Sequence, residues 1–401
     1  MNYRDSLSRN ISKMPESPTL SVNQKVSDLI KMGETVINLS IGDPDFDAFP
    51  HVKDAAIRAI REIPMRYTSS YGDFELRKAI SIGFQRDNNL RYNPENQIVV
   101  APGPKKSIYD CITALLNPGE GIIIPRPYWE AYFIHAKFCF AEPIFLDTNE
   151  NLRLTPESLE DTIKSHSSVK VVVLNYPCNP TGVSYRKSEL EKFAEIILKY
   201  DLILISDEVY DTYSYEFEHI SIASIDNDIY SRTITINGAS KRYGMTGWRV
   251  GWAAGPPEIM KMVANVQGNT SSCVNVAAQK AAEAAILGDQ TPVMKITEEF
   301  KRRRNVVVDE ISRIKGLRSI KPEGAFYIFP SVEEFIGKNN DGKPIMDDIE
   351  MSDYLLNEAK VATIPGSLIG RKNYIRFAYV RPIGTLIKAF EQIKAALGKL
   401  K

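Results

Sequence analysis

Lys241 and Arg249 stand eight residues apart, just past the apolar run Thr233-Ile234-Thr235-Ile236, in the stretches Ser240-Lys241-Arg242-Tyr243-Gly244 and Thr246-Gly247-Trp248-Arg249. Two upstream apolar runs also end on polar tips. Residues 171–174 lead into Asn179-Pro180-Thr181-Gly182, and 202–205 lead into Asp207-Glu208-Val209-Tyr210. As neighbouring strands of one sheet, these runs would bring an amide, a carboxylate, a phenol and an amine to one edge. That edge of an open α/β sheet is where ligands bind. An amine nucleophile with an anchored carboxylate and an arginine suits imine chemistry on a phosphorylated aldehyde.

Each residue has a plainer reading beside this one. Lys241 alone is a turn lysine, and Asn179-Pro180-Thr181-Gly182 alone is a turn, since Asn, Pro and Gly are turn formers. An apolar strand ending in Asp-Glu also describes a magnesium-holding nucleotide site. That site needs a G-x-x-x-x-G-K-[ST] loop, which the sequence lacks. The role left for Asp207 is to pair with a protonated ring nitrogen, because opposite charge at close range favours both ionised forms. Asn179 and Tyr210 can donate to a ring phenolate oxygen. Gly103-Pro104-Lys105-Lys106-Ser107 joins a strand to a helix and offers backbone N–H groups to a phosphate. Pro104 suits the first helical position but leaves that cradle one donor poorer. Ser240 and Arg249 are the side-chain phosphate candidates, Arg249 through its planar fork. Trp129 either stacks on a ring or fills the core. Arg376, inside Tyr374-Ile375-Arg376-Phe377-Ala378, needs a partner in an apolar strand. A substrate carboxylate or a structural salt bridge would serve.

The elements that must position these groups follow from the pattern. Between residues 98 and 255, short β-branched runs alternate with amphipathic helices, which predicts βαβ units and a mostly parallel sheet covered on both faces. Strands are expected at 98–100, 121–124, 141–146, 169–174, 202–205, 233–236 and 250–254. A long helix at 293–314 leads into a smaller α+β unit with strands at 326–329, 361–364 and 374–378 and a closing helix at 383–397. Strand 36–41 is expected to join that unit. The expected division is residues 1–45 as an N-terminal arm and part of the small domain, 46–295 as the large cofactor-binding domain, and 296–401 as the C-terminal small domain. Arg302-Arg303-Arg304 reads as a solvated helix face. Residues 1–20 read as an irregular, mobile arm, basic at Arg4, Arg9 and Lys13, with no secretory apolar region.

Bulk properties exclude several classes. The 401 residues are 43% hydrophobic and 25% charged, with 50 basic and 50 acidic side chains, so no electrostatic case exists for a nucleic-acid partner. Four scattered cysteines fit a reduced, cytoplasmic setting rather than a disulfide scaffold, and no His or Cys spacing suggests a metal. No apolar run approaches the roughly 20 residues of a membrane span.

Taken in order, the stretches 39–46, 67–77, 179–182, 206–210, 240–249, 322–329 and 365–376 resemble the class I, fold-type I pyridoxal-phosphate aminotransferases over nearly the whole chain. In look they are nearest the prokaryotic aspartate aminotransferase subgroup. The resemblance implies pyridoxal 5'-phosphate as cofactor, a large cofactor domain, a small domain built from both chain ends, and a homodimer with shared active sites. It implies Lys241 as the imine-forming lysine and general base, Asp207 and Tyr210 at the cofactor ring, and Gly103, Pro104, Lys105, Trp129, Asn179, Ser240 and Arg249 around ring and phosphate. Tyr67 resembles the tyrosine that reaches the partner subunit's cofactor phosphate. Gly42, Asn179 and Arg376 would meet the substrate carboxylate. Two departures, Pro104 and Gly238 (where some members place a serine), thin the phosphate cup. The implied reaction moves an amino group from an L-amino acid, best aspartate, to 2-oxoglutarate by ping-pong kinetics. Alanine or aromatic substrates stay open, as does another reaction on the same fold, such as a C–S lyase, racemase or decarboxylase. Ser17 is a candidate for reading the substrate side chain. A regulatory module would need a DNA-binding domain for which no residues are expected before Val36.

Overall fold

A computed structural model describes residues 6–8, 11–340 and 342–401. Its centre, among the described residues, is a seven-stranded sheet. From one edge to the other the strands are Ile98–Ala101, Gly251–Ala254, Thr233–Gly238, Ile203–Asp207, Val169–Asn175, Gly121–Arg126 and Glu142–Asp147. Only Gly251–Ala254 runs antiparallel to its neighbours. The remaining pairs are parallel.

The apolar runs follow from burial on both faces. Val171 and Val173 pack into one core cluster with Ile205, Ile234 and Ile236, while Val172 and Leu174 pack into another with Leu204. This is the period-2 alternation of a strand with helices on each side. In register, Asn175 lies opposite Asp207, and Asp207 opposite Ile236. The three polar strand ends therefore lie side by side.

The second unit joins both chain ends. Ile37–Asn38 pairs in parallel with Val361–Ala362, where a longer strand was expected. Ile375–Ala378 pairs antiparallel with Ile364–Pro365 on one side and Tyr327–Ile328 on the other. The helix Asp348–Glu358, not anticipated, is capped by the Asp347 carboxylate, which accepts from the Ile349 and Glu350 amides.

Two expectations need correction. The chain before residue 20 is not wholly irregular: residues Ile11–Lys13 form a 3-10 turn, and a helix begins at Pro18 and runs to Lys31. Proline at the first helical position starts it earlier than apolar periodicity alone suggests. Arg4 and Arg9 lie outside the described residues. The basic triplet is not a solvated face. In the helix Thr291–Ser312, Arg303 and Arg304 turn inward with Phe300, Val307 and Ile311, and only Arg302 stays exposed. Arg304, 1% exposed, donates to the Pro322 carbonyl and pairs with Glu216 at 2.7 Å. Arg303 bonds Asp45 and Glu299. The helical repeat puts 300, 303–304, 307 and 311 on one stripe, and the buried cations there are paired.

Candidate active site

The polar strand ends converge on a cavity of about 260 Å³. Of the residues expected at the site, Gly42, Pro104, Lys105, Trp129, Asn179, Asp207, Tyr210, Ser240, Lys241, Arg249 and Arg376 line it. Gly103 stands just behind, at a left-handed φ of 88° that favours glycine, with the Arg249 guanidinium packed against it. Ser17 and Tyr67 do not line the cavity. Ser17 spends its hydroxyl on Glu130, and Tyr67 is 88% exposed.

Lys241 sits in the short turn of helix Ala239–Arg242 that follows the strand Thr233–Gly238. Its Nζ donates to the Gly42 carbonyl at 2.6 Å. Burial pulls the amine down to about 8, with Asp43 opposing and the Arg249 and Arg376 charges adding to the fall. A lysine so depressed is substantially neutral near pH 8, the form that attacks a carbonyl. Gly42 itself meets Tyr327 so closely that a Cβ would overlap the phenol oxygen.

Asp207 is 2% exposed and its carboxylate accepts from the Tyr132 hydroxyl. Its other oxygen accepts from the Val209 amide at 3.3 Å. Burial raises it to about 6, Tyr132 holding it lower than it would otherwise be. No cation is bonded to it among the described residues, so a ring N–H⁺ would supply the missing countercharge. Asn175 donates to the Asp207 carbonyl at 3.0 Å and accepts from the Asn179 amide at 2.8 Å, locking the two strand ends together. The Tyr210 and Tyr327 hydroxyls lie 3.1 Å apart, and burial pushes Tyr210 well above the usual phenol range.

Arg376, 3% exposed, donates to the Asn179 amide oxygen at 3.0 Å and to the Ser40 carbonyl at 2.6 Å. Its Nε has no partner, and no carboxylate contacts it among the described residues. Ser240 Oγ is likewise buried and unpartnered. Arg249, at a left-handed φ of 55°, donates to the Thr246 carbonyl at 2.8 Å. These orphaned donors fit a phosphate beside Ser240 and Arg249 and a carboxylate beside Arg376. The donor set therefore suits pyridoxal 5'-phosphate.

Sequence reasoning missed Tyr132, Asn175, Tyr327 and Thr19, all of which line the cavity. Asn175 carried a signal, a polar residue ending an apolar strand. Tyr132 and Tyr327 sit inside apolar stretches and carried none.

The fold and the donor set together define a cofactor-dependent transferase of the aminotransferase kind. The comparisons agree. Residues 34–393 match the family "Aminotransferase class I and II", and the chain belongs to that pyridoxal-phosphate-dependent family. An aspartate aminotransferase of Bacillus subtilis (strain 168) is 36% identical over 396 residues, covering 98% of this chain and 99% of that protein. The crystal structure of the aspartate aminotransferase from Rhizobium meliloti superposes with a TM-score of 0.94 at 37% identity, covering 98% of this chain and 99% of that one. An aromatic aminotransferase from Pyrococcus horikoshii OT3 gives a TM-score of 0.85 at 33% identity, covering 93% and 99%. Among the described residues no helix is long and apolar enough to cross a membrane.

Proposed function

We propose that this chain transaminates L-aspartate with 2-oxoglutarate as the amino acceptor. The observation that carries the reading is a pair of cations without carboxylate partners on one cavity. Arg376 and Lys105 both line it, and neither has a carboxylate partner among the described residues. Arg376 would take the α-carboxylate of a dicarboxylic substrate bidentately, and Lys105 its distal carboxylate. Lys105 thus moves from the cofactor group expected for it to the substrate. The relatives named for aspartate support the same choice.

The remaining groups have roles their surroundings suit. Bound pyridoxal phosphate supplies an electron sink for the substrate Cα. Asp207 holds the ring nitrogen protonated, and Tyr132 fixes the Asp207 carboxylate. Asn179 and Tyr210 donate to the ring oxygen. Ser240 and Arg249, with the start of helix Pro104–Leu115, hold the phosphate. Lys241, a buried amine held down to about 8 on the cavity wall, would serve as the general base that takes and holds the substrate Cα proton. Gly42 and Arg376 orient the substrate carboxylate. Tyr67, 88% exposed and off the cavity of its own chain, would reach the cofactor phosphate of a second copy in a homodimer.

Lys105→Ala tests the dicarboxylate reading. It should raise KM for aspartate about tenfold, the worth of one charged hydrogen bond, and leave KM for alanine nearly unchanged. Equal effects on both amino acids would sink the role of Lys105. An aromatic amino acid as preferred substrate is the competing reading, favoured by the Trp129, Tyr132 and Ile41 walls. The same assay with tyrosine separates them.

A further inference from the structure

Ser17 and Glu130 each occupy the N-cap position of a helix, yet neither side chain caps its own. Ser17 begins Pro18–Lys31 and Glu130 begins Ala131–Phe138, and both helices lack a side-chain cap bond. Instead the Ser17 hydroxyl donates to Glu130 Oε1 at 3.0 Å, across 113 residues of sequence. Serine at an N-cap normally turns back to its own backbone, so both positions forgo a local bond for a long-range one.

The two ends of this bond belong to different parts of the fold. Pro18–Lys31 is anchored on the C-terminal unit, with Val26 packed on Leu356 and Ala362, Asn23 bonded to Asn38, and Lys25 paired with Asp353. Glu130 follows Trp129 on the sheet-bearing unit and is 9% exposed. Among the hydrogen bonds described for residues 17–31, this is the one that reaches the sheet-bearing unit. Thr19, two residues on from Ser17, is a wall of the catalytic cavity. Glu130 is not on that wall, but its charge is felt at Tyr327, which is. No cation pairs with Glu130 among the described residues. A buried carboxylate bonded only to a hydroxyl is costly, and the positive N-terminal ends of two helices beside it offset that cost.

We propose that Glu130 is a positioning residue for the transamination reaction. Through Ser17 it latches the first turn of Pro18–Lys31 over the substrate cavity, so that Thr19 completes the wall only while the bond holds. The latch acts on how well substrate is retained and not on proton transfer at Lys241. This inference rests on the aspartate reading above for its choice of substrate.

The test compares holoenzyme variants Glu130→Ala, Glu130→Gln and Ser17→Ala. Glu130→Ala should raise KM for aspartate about tenfold with kcat within about twofold, the pattern of lost uniform binding. Glu130→Gln keeps an acceptor and should restore most of the affinity. The Ser17→Ala/Glu130→Ala double variant should be no worse than either single, since both remove one bond. Amide exchange at residues 19–31 should quicken in Glu130→Ala before any substrate is added. Unchanged KM and exchange, additive effects, or kcat falling along with thermal stability would overturn the latch. A wild-type enzyme inert toward aspartate would sink the substrate reading instead, and the exchange comparison would still decide the latch.

Discussion

At the scale of single residues, the site is a set of buried groups, each held in a state that water would not favour. Lys241 titrates near 8 instead of its usual 10.5. The folded, cofactor-free chain therefore binds fewer protons than the unfolded chain between those values. Its stability contribution rises with pH across that window. The neutral amine is the nucleophile, so the rate at which cofactor-free protein takes up pyridoxal phosphate should climb with pH and level off above about 8. A flat rate from pH 6 to 9 would contradict the assigned environment. Asp207 shows the opposite sign. Its pKa near 6, against 3.8 when unfolded, means the folded chain holds the extra proton, and stability falls as pH rises from 3.8 to 6. Asp207→Asn should therefore stabilise the cofactor-free protein at pH 7 in a thermal melt. In the holoenzyme the same change should cut kcat by about a hundredfold or more, as the ring loses its charged partner. A variant both less stable without cofactor and fully active would refute this role.

At the scale of elements, the lesson lies in which signals were local. Strand positions were legible because apolar runs stop at Leu174, Ile205 and Ile236, one or two residues short of the observed ends at Asn175, Asp207 and Gly238, and a βαβ pattern fixes their adjacency. The helix Ile383–Leu397 was legible to the residue because its apolar stripe fills its whole length. Tyr132 was not legible, since an inward tyrosine in a helix reads the same whether it packs or bonds a carboxylate. Arg303 and Arg304 were misread because their partners, Asp45, Glu216 and the Pro322 carbonyl, are remote in sequence. Charge runs alone do not report where a helix turns its stripe. Arg304→Ala should cost about 2–4 kcal/mol in denaturant unfolding, through lost packing and a stranded carbonyl. Arg302→Ala, one position away and exposed, should change little. Equal effects at both positions would mean the triplet is solvated after all.

At the scale of the whole molecule, the chain ends matter as much as the sheet. The N-terminal strand Ile37–Asn38 pairs into the C-terminal unit, and the helix before it contributes Thr19 to the wall of the cavity at the sheet edge. Arg376 from one unit and Lys241 from the other thus line the same cavity. The proposed homodimer would extend this logic to a second subunit through the exposed Tyr67. Sedimentation should give about twice the 45.1 kDa chain mass. Mixing Tyr67→Ala and Lys241→Ala chains should recover activity that neither variant has alone, because one mixed site is intact in such a dimer. A monomeric active enzyme would remove Tyr67 from the site.

The most direct test of the central claim is the absorbance spectrum of the cofactor-loaded protein, recorded before and after aspartate, glutamate, alanine and tyrosine are added separately. Aspartate and glutamate should deplete the band of lysine-bound pyridoxal phosphate, a pyridoxamine phosphate band should replace it, and 2-oxoglutarate should reverse the change. Conversion by alanine or tyrosine alone would keep the chemistry and overturn the substrate, and a spectrum that no amino acid alters would contradict transamination at Lys241.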